Sequence, residues 1–363
     1  MRKVAILGST GSIGVQALDV VRANPGLLSV HSLVCGSNTA LLARQSAEFP
    51  SAFPAAIRPD GASDGEGILE RALDGCDIVL NAITGFAGLR ASLMAASHGL
   101  PLALANKESL VTGGCLLEGH VARGLVEPVD SEHSTIARCL AGEAQRPLGI
   151  MLTASGGALR DSSPEAAEGA GPAEVLAHPT WRMGPRITVD SATLVNKAFE
   201  VLEAEWLFPG IPVDAVLHPQ SIAHSLVRLA DGSWKALMGT PDMRLPVQYA
   251  LLGGGAPGLV ADDSPADWPA LRFGAIDPRR YPAFGLVKGA GRLGGTAPAA
   301  ANAADEEAVA AFLAGRIRFG GIARVIEHVL ERTAPRAAGS YRDLVDADEE
   351  ARAVARAFLE GSC

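Results

Sequence analysis

No CxxC spacing occurs among the five cysteines of this 363-residue chain, which lie at 35, 76, 115, 139 and 363. The odd count and wide spacing argue against a disulfide framework or a zinc knuckle and point to a reducing compartment. No basic block occurs either: 31 lysines and arginines stand against 40 aspartates and glutamates, a formal net charge of −9. The electrostatic footprint of nucleic-acid binding is therefore missing, and an anionic ligand would require a local cationic pocket. The longest apolar stretch, 91–105, is too short for a bilayer and is interrupted by His98, Gly99 and Pro101. Met1-Arg2-Lys3 runs straight into Val4-Ala5-Ile6-Leu7-Gly8, too short for a signal h-region. The expectation is a soluble, cytoplasmic protein.

What is present is an ordinary folded composition, with 48% hydrophobic and 20% charged residues, which excludes wholesale disorder. At about 150 residues per domain the length suggests two domains or three. Apolar runs at 4–8, 30–35, 76–82 and 100–105 read as buried strands. Helical spacing at 13–23 and 89–98 alternates with them, the signature of a parallel α/β sheet. Residues 60–67 read as a loop. A second set of strands is expected at 149–154, 215–218, 222–229 and 234–238, around a helix over 191–207. The Gly- and Pro-rich 253–270 reads as a linker, and 303–314, 322–332 and 343–359 as helices. The expected fold class is α/β: an N-terminal Rossmann-like parallel sheet, a central α/β domain and a C-terminal α-helical domain.

Gly8-Ser9-Thr10-Gly11-Ser12-Ile13-Gly14 follows a strand and opens a helix, the context of a phosphate-cradling turn. Helix-start N–H groups and the helix dipole favour an anion there. A plain βα turn is the competing explanation, made weaker by three glycines after the first strand. The second strand ends Val34-Cys35-Gly36-Ser37-Asn38 with no carboxylate to hold a ribose diol. That absence argues for NADP over NAD.

Two acidic stretches stand out. Asp130 and Glu132 share a face if extended and would suit a hard cation. Taken alone, helix capping by Asp130 or Ser131 explains them better. In the stretch 190–200, Asn196 and Glu200 are i,i+4 and Lys197 and Glu200 i,i+3, with Ser191 at the expected helix start. The bland alternative is a solvated Lys–Glu pair, but Leu194, Val195 and Phe199 flank the stripe. Lys197 with Ser191 could take a phosphate, and Glu200 a metal. Ser155-Gly156-Gly157 ends a strand, where a ligand can approach backbone closely. The Pro-flanked 178–185 reads as a lid or as core anchors. Most histidines in contexts such as His218 and His224 are structural.

Together the stretches GSTGSIG (8–14), LANKESLV (104–111), PVDSEH (128–133), TASGG (153–157), HPTWRMG (178–184), VDSATLVNKAFE (189–200), HPQSIAHS (218–225) and PDMR (241–244) resemble the 1-deoxy-D-xylulose 5-phosphate reductoisomerase family. The resemblance implies NADPH- and divalent-metal-dependent (Mg²⁺ or Mn²⁺) rearrangement and reduction of that sugar phosphate to 2-C-methyl-D-erythritol 4-phosphate, by a homodimer. It implies an NADPH-binding domain at 1–129, a catalytic domain at 130–252 with a lid loop at 178–186, a linker at 253–281 and a helical domain at 282–363. By matching motif, Thr10, Gly11, Ser12, Ile13, Gly36, Ser37, Asn38, Asn106, Glu108 and Gly184 fall at cofactor positions. Asp130, Glu132 and Glu200 fall at metal positions. Lys107, Ser131, Ser155, His178, Ser191, Asn196, Lys197 and Glu200 fall at substrate positions, with Lys107, Glu132 and His178 as the catalytic candidates. Trp181 and Met183 fall on the lid. Four departures stand out: Ser37 where many members carry Lys or Arg, Ala198 for a usual Gly, a shortened 39–75, and Asp305 for an Asn.

Two rival functions remain at the level of sequence. A metal-independent NADP-dependent semialdehyde or alcohol dehydrogenase is one; the semialdehyde chemistry needs a nucleophilic Cys near a His, and Cys115 and Cys139 carry no such signature. A non-catalytic NADP-sensing module is the other, and it gives no reason for acids beside a Lys/Ser pocket.

Overall fold

The computed structural model describes residues 1–57, 64–177, 184–254, 256, 258–259 and 264–361. The described chain divides into two compact units. Unit 1 comprises Met1–Ser109, Leu117–Ser134 and Asp242–Asp262; unit 2 comprises Leu110–Leu116, Thr135–Pro241 and Asp263–Cys363.

Unit 1 is built on strands β1 (Arg2–Leu7), β2 (Leu28–Cys35), β3 (Phe53–Ala56), β4 (Ile78–Asn81), β5 (Leu102–Leu104) and β6 (Val126–Pro128). Between them run helices α1 (Ser12–Ala23), α2 (Thr39–Glu48), α3 (Gly65–Leu73), α4 (Gly88–Ser97) and α5 (Glu108–Ala122), and α6 (Ser131–Leu140) follows β6. The strand order is β3-β2-β1-β4-β5-β6, every neighbouring pair parallel. A parallel sheet is covered on both faces, so its strands are unbroken apolar runs rather than alternating ones; Val4, Ala5, Ile6 and Leu7 are all fully buried. The order reverses between β1 and β4, the switch point where doubly wound sheets bind ligands.

Of the expected loop over 60–67, residues 60–63 lie outside the described residues, and Gly65–Gly67 are helical: α3 begins at Gly65, where Asp64 accepts from Gly67 N at 3.0 Å as its N-cap. The short segment 39–75 holds α2, β3 and α3, so the sheet is completed by a four-residue edge strand. Pro54 sits in it, as edge strands tolerate.

Unit 2 carries a four-stranded sheet and a helical layer. Its elements in chain order are β7 (Gly149–Ala154), α7 (Pro164–Glu168), α8 (Pro172–Val175), α9 (Pro185–Thr193), α10 (Val195–Leu207), β8 (Val213–Leu217), β9 (Ala223–Arg228) and β10 (Trp234–Met238). Helix α11 (Arg244–Leu252) returns to unit 1, where Val247, Ala250 and Leu251 join the core of Val4, Ile6 and Leu18. Then come α12 (Pro282–Leu293), α13 (Ala297–Leu313), α14 (Phe319–Arg332) and α15 (Tyr341–Gly361). The sheet order is β10-β9-β7-β8, with β7–β8 parallel and the other pairs antiparallel. Alanine-rich α13 is surrounded, with Ala299, Ala301, Ala303, Ala304 and Phe312 fully buried.

The single helix expected over 191–207 is two. Leu194 separates α9 from α10 in a left-handed conformation, φ 59° and ψ 16°, and is itself buried. Leu, unbranched at Cβ, is an ordinary helix former, so periodicity alone runs through this break; Thr193 Oγ1 stabilises it by accepting Val195 N at 3.2 Å. Ser191 consequently lies in the last turn of α9, not at a helix start. No helix among the described residues is long and apolar enough to cross a membrane.

Candidate active site

The first component is the turn after β1. Gly8 has φ +87°, and a Cβ there would lie 2.4 Å from Ala82 O; a Cβ at Gly14 would lie 2.3 Å from Gly8 O. Both glycines are therefore demanded by close backbone approach. Gly8 N and Ser9 N donate to Val34 O at 2.8 and 2.9 Å, holding the turn against the end of β2. Gly11 is the N-cap of α1 and brings no side-chain acceptor of its own, so the helix start presents backbone N–H groups outward, with Ser12 exposed. Beside it Gly36, Ser37 and Asn38 are exposed, and Asn38 Oδ1 caps α2 by accepting Leu41 N at 3.1 Å.

At the ends of β4 and β5 a buried hydrogen-bond network arranges Asn106 and Glu108. Asn81 Nδ2 donates to Ser92 Oγ at 2.8 Å and Gly88 O at 2.9 Å. Ser92 Oγ meets Ser109 Oγ at 2.8 Å, and Ser109 Oγ donates to Asn106 Oδ1. Asn106 Nδ2 donates to Gly85 O at 3.0 Å and to Glu108 Oε2 at 2.9 Å, while Glu108 Oε1 accepts Gly85 N at 3.0 Å. Asn81, Ser92 and Ser109 are fully buried. Sequence reasoning missed them, although an Asn inside the apolar run 76–82 is a visible signal: a buried amide needs partners.

Lys107 and Asp130 come next in the same unit. Lys107 Nζ donates to Asp130 Oδ2 at 2.8 Å. Asp130 Oδ1 accepts Glu132 N at 3.1 Å and lies 3.0 Å from His133 Nδ1, His133 being fully buried. Ser131 Oγ donates to Glu132 Oε2. Asp130 thus stands just before α6 with Ser131 and Glu132 in its first turn, the capping geometry rather than the extended one. The half-buried Asp130 carboxylate is thus met by a lysine ammonium, a backbone N–H and an imidazole.

Unit 2 supplies the other half of the motif residues. The loop after β7 carries Gly156 at φ +83° and Gly157 at φ +69°. A Cβ at Gly157 would lie 2.4 Å from Ala192 Cα, so the Ser155 loop presses directly against the last turn of α9, beside Ser191. Tyr281 OH donates to Gly156 O at 3.1 Å and Arg160 Nη1 to Ser155 O at 3.3 Å, fixing the loop. Ser191 Oγ donates to Ile187 O at 2.8 Å. On α10, Asn196 Nδ2 donates to Glu200 Oε1 and Lys197 Nζ to Glu200 Oε2. Lys197 and Glu200 are 5% and 2% exposed, so this is a buried ammonium–carboxylate pair with a half-buried amide beside it, and not a solvated face.

His218 is structural, as expected. It is fully buried, its Nε2 accepts Ile222 N and Ala223 N at 3.2 Å, and its Nδ1–H donates to Arg272 O at 2.8 Å. Both ring nitrogens are committed. His178, Trp181 and Met183 lie outside the described residues; of the expected lid loop 178–186, Gly184 is the N-cap of α9, with Pro185 and Arg186 in its first turn. Cys139 does not suit nucleophilic catalysis: it is buried, and that burial pushes its pKa up.

The sheet order and the glycine turn at the switch point define the class: a dinucleotide-dependent oxidoreductase of Rossmann-like fold. Comparison with known proteins narrows it. The family model for 1-deoxy-D-xylulose 5-phosphate reductoisomerase matches 4–64 and 53–114, and the models for that family's C-terminal domains match 126–208 and 238–354. A 1-deoxy-D-xylulose 5-phosphate reductoisomerase of Leifsonia xyli subsp. xyli is 46% identical, the match covering 99% of each chain. The solved structure of the Zymomonas mobilis 1-deoxy-D-xylulose 5-phosphate reductoisomerase in complex with NADPH superimposes with a TM-score of 0.86 at 35% identity over 99% of each chain. A DOX-P reductoisomerase bound to NADPH, fosmidomycin and magnesium gives 0.87 at 31%, covering 99% of this chain and 98% of that one. This chain belongs to the 1-deoxy-D-xylulose 5-phosphate reductoisomerase family.

Proposed function

We propose that this chain converts 1-deoxy-D-xylulose 5-phosphate to 2-C-methyl-D-erythritol 4-phosphate, with NADPH and Mg²⁺ or Mn²⁺ as cofactors. What carries the reading is the 46% identity to a reductoisomerase over essentially the whole of both chains, which takes in every motif the site is built from. When bound, the cation supplies Lewis acidity toward sugar oxygens and NADPH supplies hydride.

The residues fit these groups. Asp130, Glu132 and Glu200 offer only hard oxygens, the donor set for Mg²⁺ or Mn²⁺; Asp130 and Glu200 already accept lysine ammoniums, so their oxygens are arranged around positive charge. Thr10, Gly11, Ser12 and Ile13 would hold the pyrophosphate end of NADPH, Gly36, Ser37 and Asn38 its adenosine end, and Asn106, Glu108 and Gly184 the remainder. Ser155, Ser191, Asn196 and Lys197, with His178, would bind the substrate phosphate, and Ser131 its sugar hydroxyls. Lys107 and Glu132 would handle protons, Lys107 holding its own on Nζ against Asp130 Oδ2. In this division 1–129 binds the cofactor, 130–252 the metal and substrate, 253–281 links, and 282–363 supports.

We also place the chain in the cytoplasm as a homodimer. Strand β10 is an edge of its sheet and exposes Trp234 (52%) and Met238 (54%), apolar surface of the kind a second subunit covers. Sedimentation at monomer mass would oppose the dimer.

The test is NADPH oxidation with 1-deoxy-D-xylulose 5-phosphate, with and without EDTA. Turnover abolished by EDTA and restored by Mg²⁺ is expected. Chelator-insensitive turnover, or none with this substrate, would reject the assignment.

A further inference from the structure

Gln45 lies on α2, far in sequence from the glycine turn, yet it forms a reciprocal pair with Ser9. Ser9 Oγ donates to Gln45 Oε1 at 2.9 Å, and Gln45 Nε2 donates to Ser9 O at 2.8 Å. Ser9 is fully buried and Gln45 is 4% exposed. Nothing in a dinucleotide turn requires a buried glutamine beneath it. A primary amide is the side chain that can serve one residue's hydroxyl and carbonyl together. In this dry setting an unmatched partner is costly, so the pair acts as a rigid tie.

What the tie joins is specific. Ser9 immediately precedes Thr10, Gly11 and Ser12 at the start of α1. Gln45 lies about two helical turns beyond Asn38, whose side chain caps the same α2. One end of the pair is therefore in the turn that holds the pyrophosphate, and the other is on the helix whose N-terminus carries Ser37 and Asn38. We infer that Gln45 is a positioning residue that sets the spacing between the pyrophosphate turn and the 2′-phosphate turn, and so contributes to NADPH selectivity. The inference rests on the reading that 8–14 and 36–38 hold the cofactor. It predicts a differential effect, because NADPH presents an anionic group to both turns at once, whereas NADH presents one only to the first. Loosening their relative placement should weaken NADPH more than NADH.

The experiment compares wild type, Gln45→Met and Ser9→Ala by NADPH and NADH binding (nicotinamide fluorescence), together with kcat at saturating NADPH and apo-protein Tm. Gln45→Met keeps the side-chain length and removes both polar atoms; Ser9→Ala removes one of the two hydrogen bonds and leaves Ser9 O for the amide. For Gln45→Met the NADPH Kd should rise about tenfold, the NADH Kd by less than about threefold, and saturated kcat should hold within about twofold. Ser9→Ala should shift the NADPH/NADH ratio the same way by a smaller factor, and it carries the test if Gln45→Met does not fold. Equal weakening of both dinucleotides, or an unchanged ratio in a folded variant, would overturn the inference and leave Gln45 a packing residue. Ser12→Glu separates this from failure of the underlying reading. A carboxylate at that exposed helix start should weaken NADPH and NADH alike, and if it weakens neither, the turn is not the pyrophosphate site.

Discussion

Lys107 Nζ stands 2.8 Å from Asp130 Oδ2, joining the N-cap of α5 to the residue before α6, with the two side chains only 10% and 12% exposed. Under the proposed function this pair brings a proton-bearing ammonium to a metal-binding carboxylate. Lys107→Met keeps the stem and removes the charge. kcat should fall by about 10²-fold or more, the scale of a lost acid–base group. The metal-free protein should lose about 1–3 kcal/mol, because the carboxylate of Asp130 loses its ammonium partner and keeps its contacts to His133 and the Glu132 N–H. Added Mg²⁺ should therefore raise Tm more in the variant than in wild type, as read by thermal shift. Wild-type kcat in Lys107→Met would remove Lys107 from the chemistry.

Lys197 lies at the other carboxylate, Glu200. A phosphate dianion meeting Lys197 gains a charge-assisted hydrogen bond worth about 1.5–3 kcal/mol. Lys197→Met should raise KM for the sugar phosphate by about 10- to 100-fold, with a smaller change in KM for NADPH. Initial-rate kinetics at fixed Mg²⁺ measure both. An unchanged substrate KM would move the phosphate away from α10.

Ser37 is exposed at the end of β2, and the segment Gly36-Ser37-Asn38 carries neither an acid for the ribose diol nor a base for a 2′-phosphate. Neutral donors contribute about 0.5–1.5 kcal/mol each, and a charged one about 1.5–3. NADPH should be preferred by a moderate margin, and Ser37→Arg should widen the NADPH/NADH ratio of kcat/KM. The gain should shrink with added KCl, since exposed charges are screened. A ratio that does not move would show that Ser37 faces away from the cofactor.

The cysteines report on the fold independently of activity. Cys35, Cys76 and Cys139 are buried and Cys115 is exposed. Burial, with Asp77 adding to it, pushes the Cys76 thiol up to about 11, so about one molecule in a thousand is thiolate at pH 8. Maleimide labelling of the native protein at pH 8, mapped by peptide mass, should modify Cys115 and spare Cys35, Cys76 and Cys139 until denaturant is added. Rapid native labelling of Cys76 would contradict its burial beside β4.

Much of this protein is set by local rules that a sequence displays. Unbroken apolar runs become strands of a buried parallel sheet, and Gly8 and Gly14 are required wherever a strand turns this tightly into a helix. The i,i+3 and i,i+4 spacing of Lys197, Asn196 and Glu200 places them on one helical face, as the structure has them. Spacing could not tell a solvated stripe from a buried one, because burial depends on what the rest of the chain packs over the helix. The left-handed break at Leu194 was equally hidden, since a Leu favours continuing a helix and only its packed surroundings and Thr193 hold it otherwise. Long-range pairs lie furthest from sequence reach. Gln45 and Ser9 are 36 residues apart, Lys107 and Asp130 are 23 apart, and no periodicity relates them. The sequence determined which elements form and which chemistry they carry; the tertiary structure decided which side chains meet, because strand pairing and helix packing bring together residues that the chain itself keeps apart.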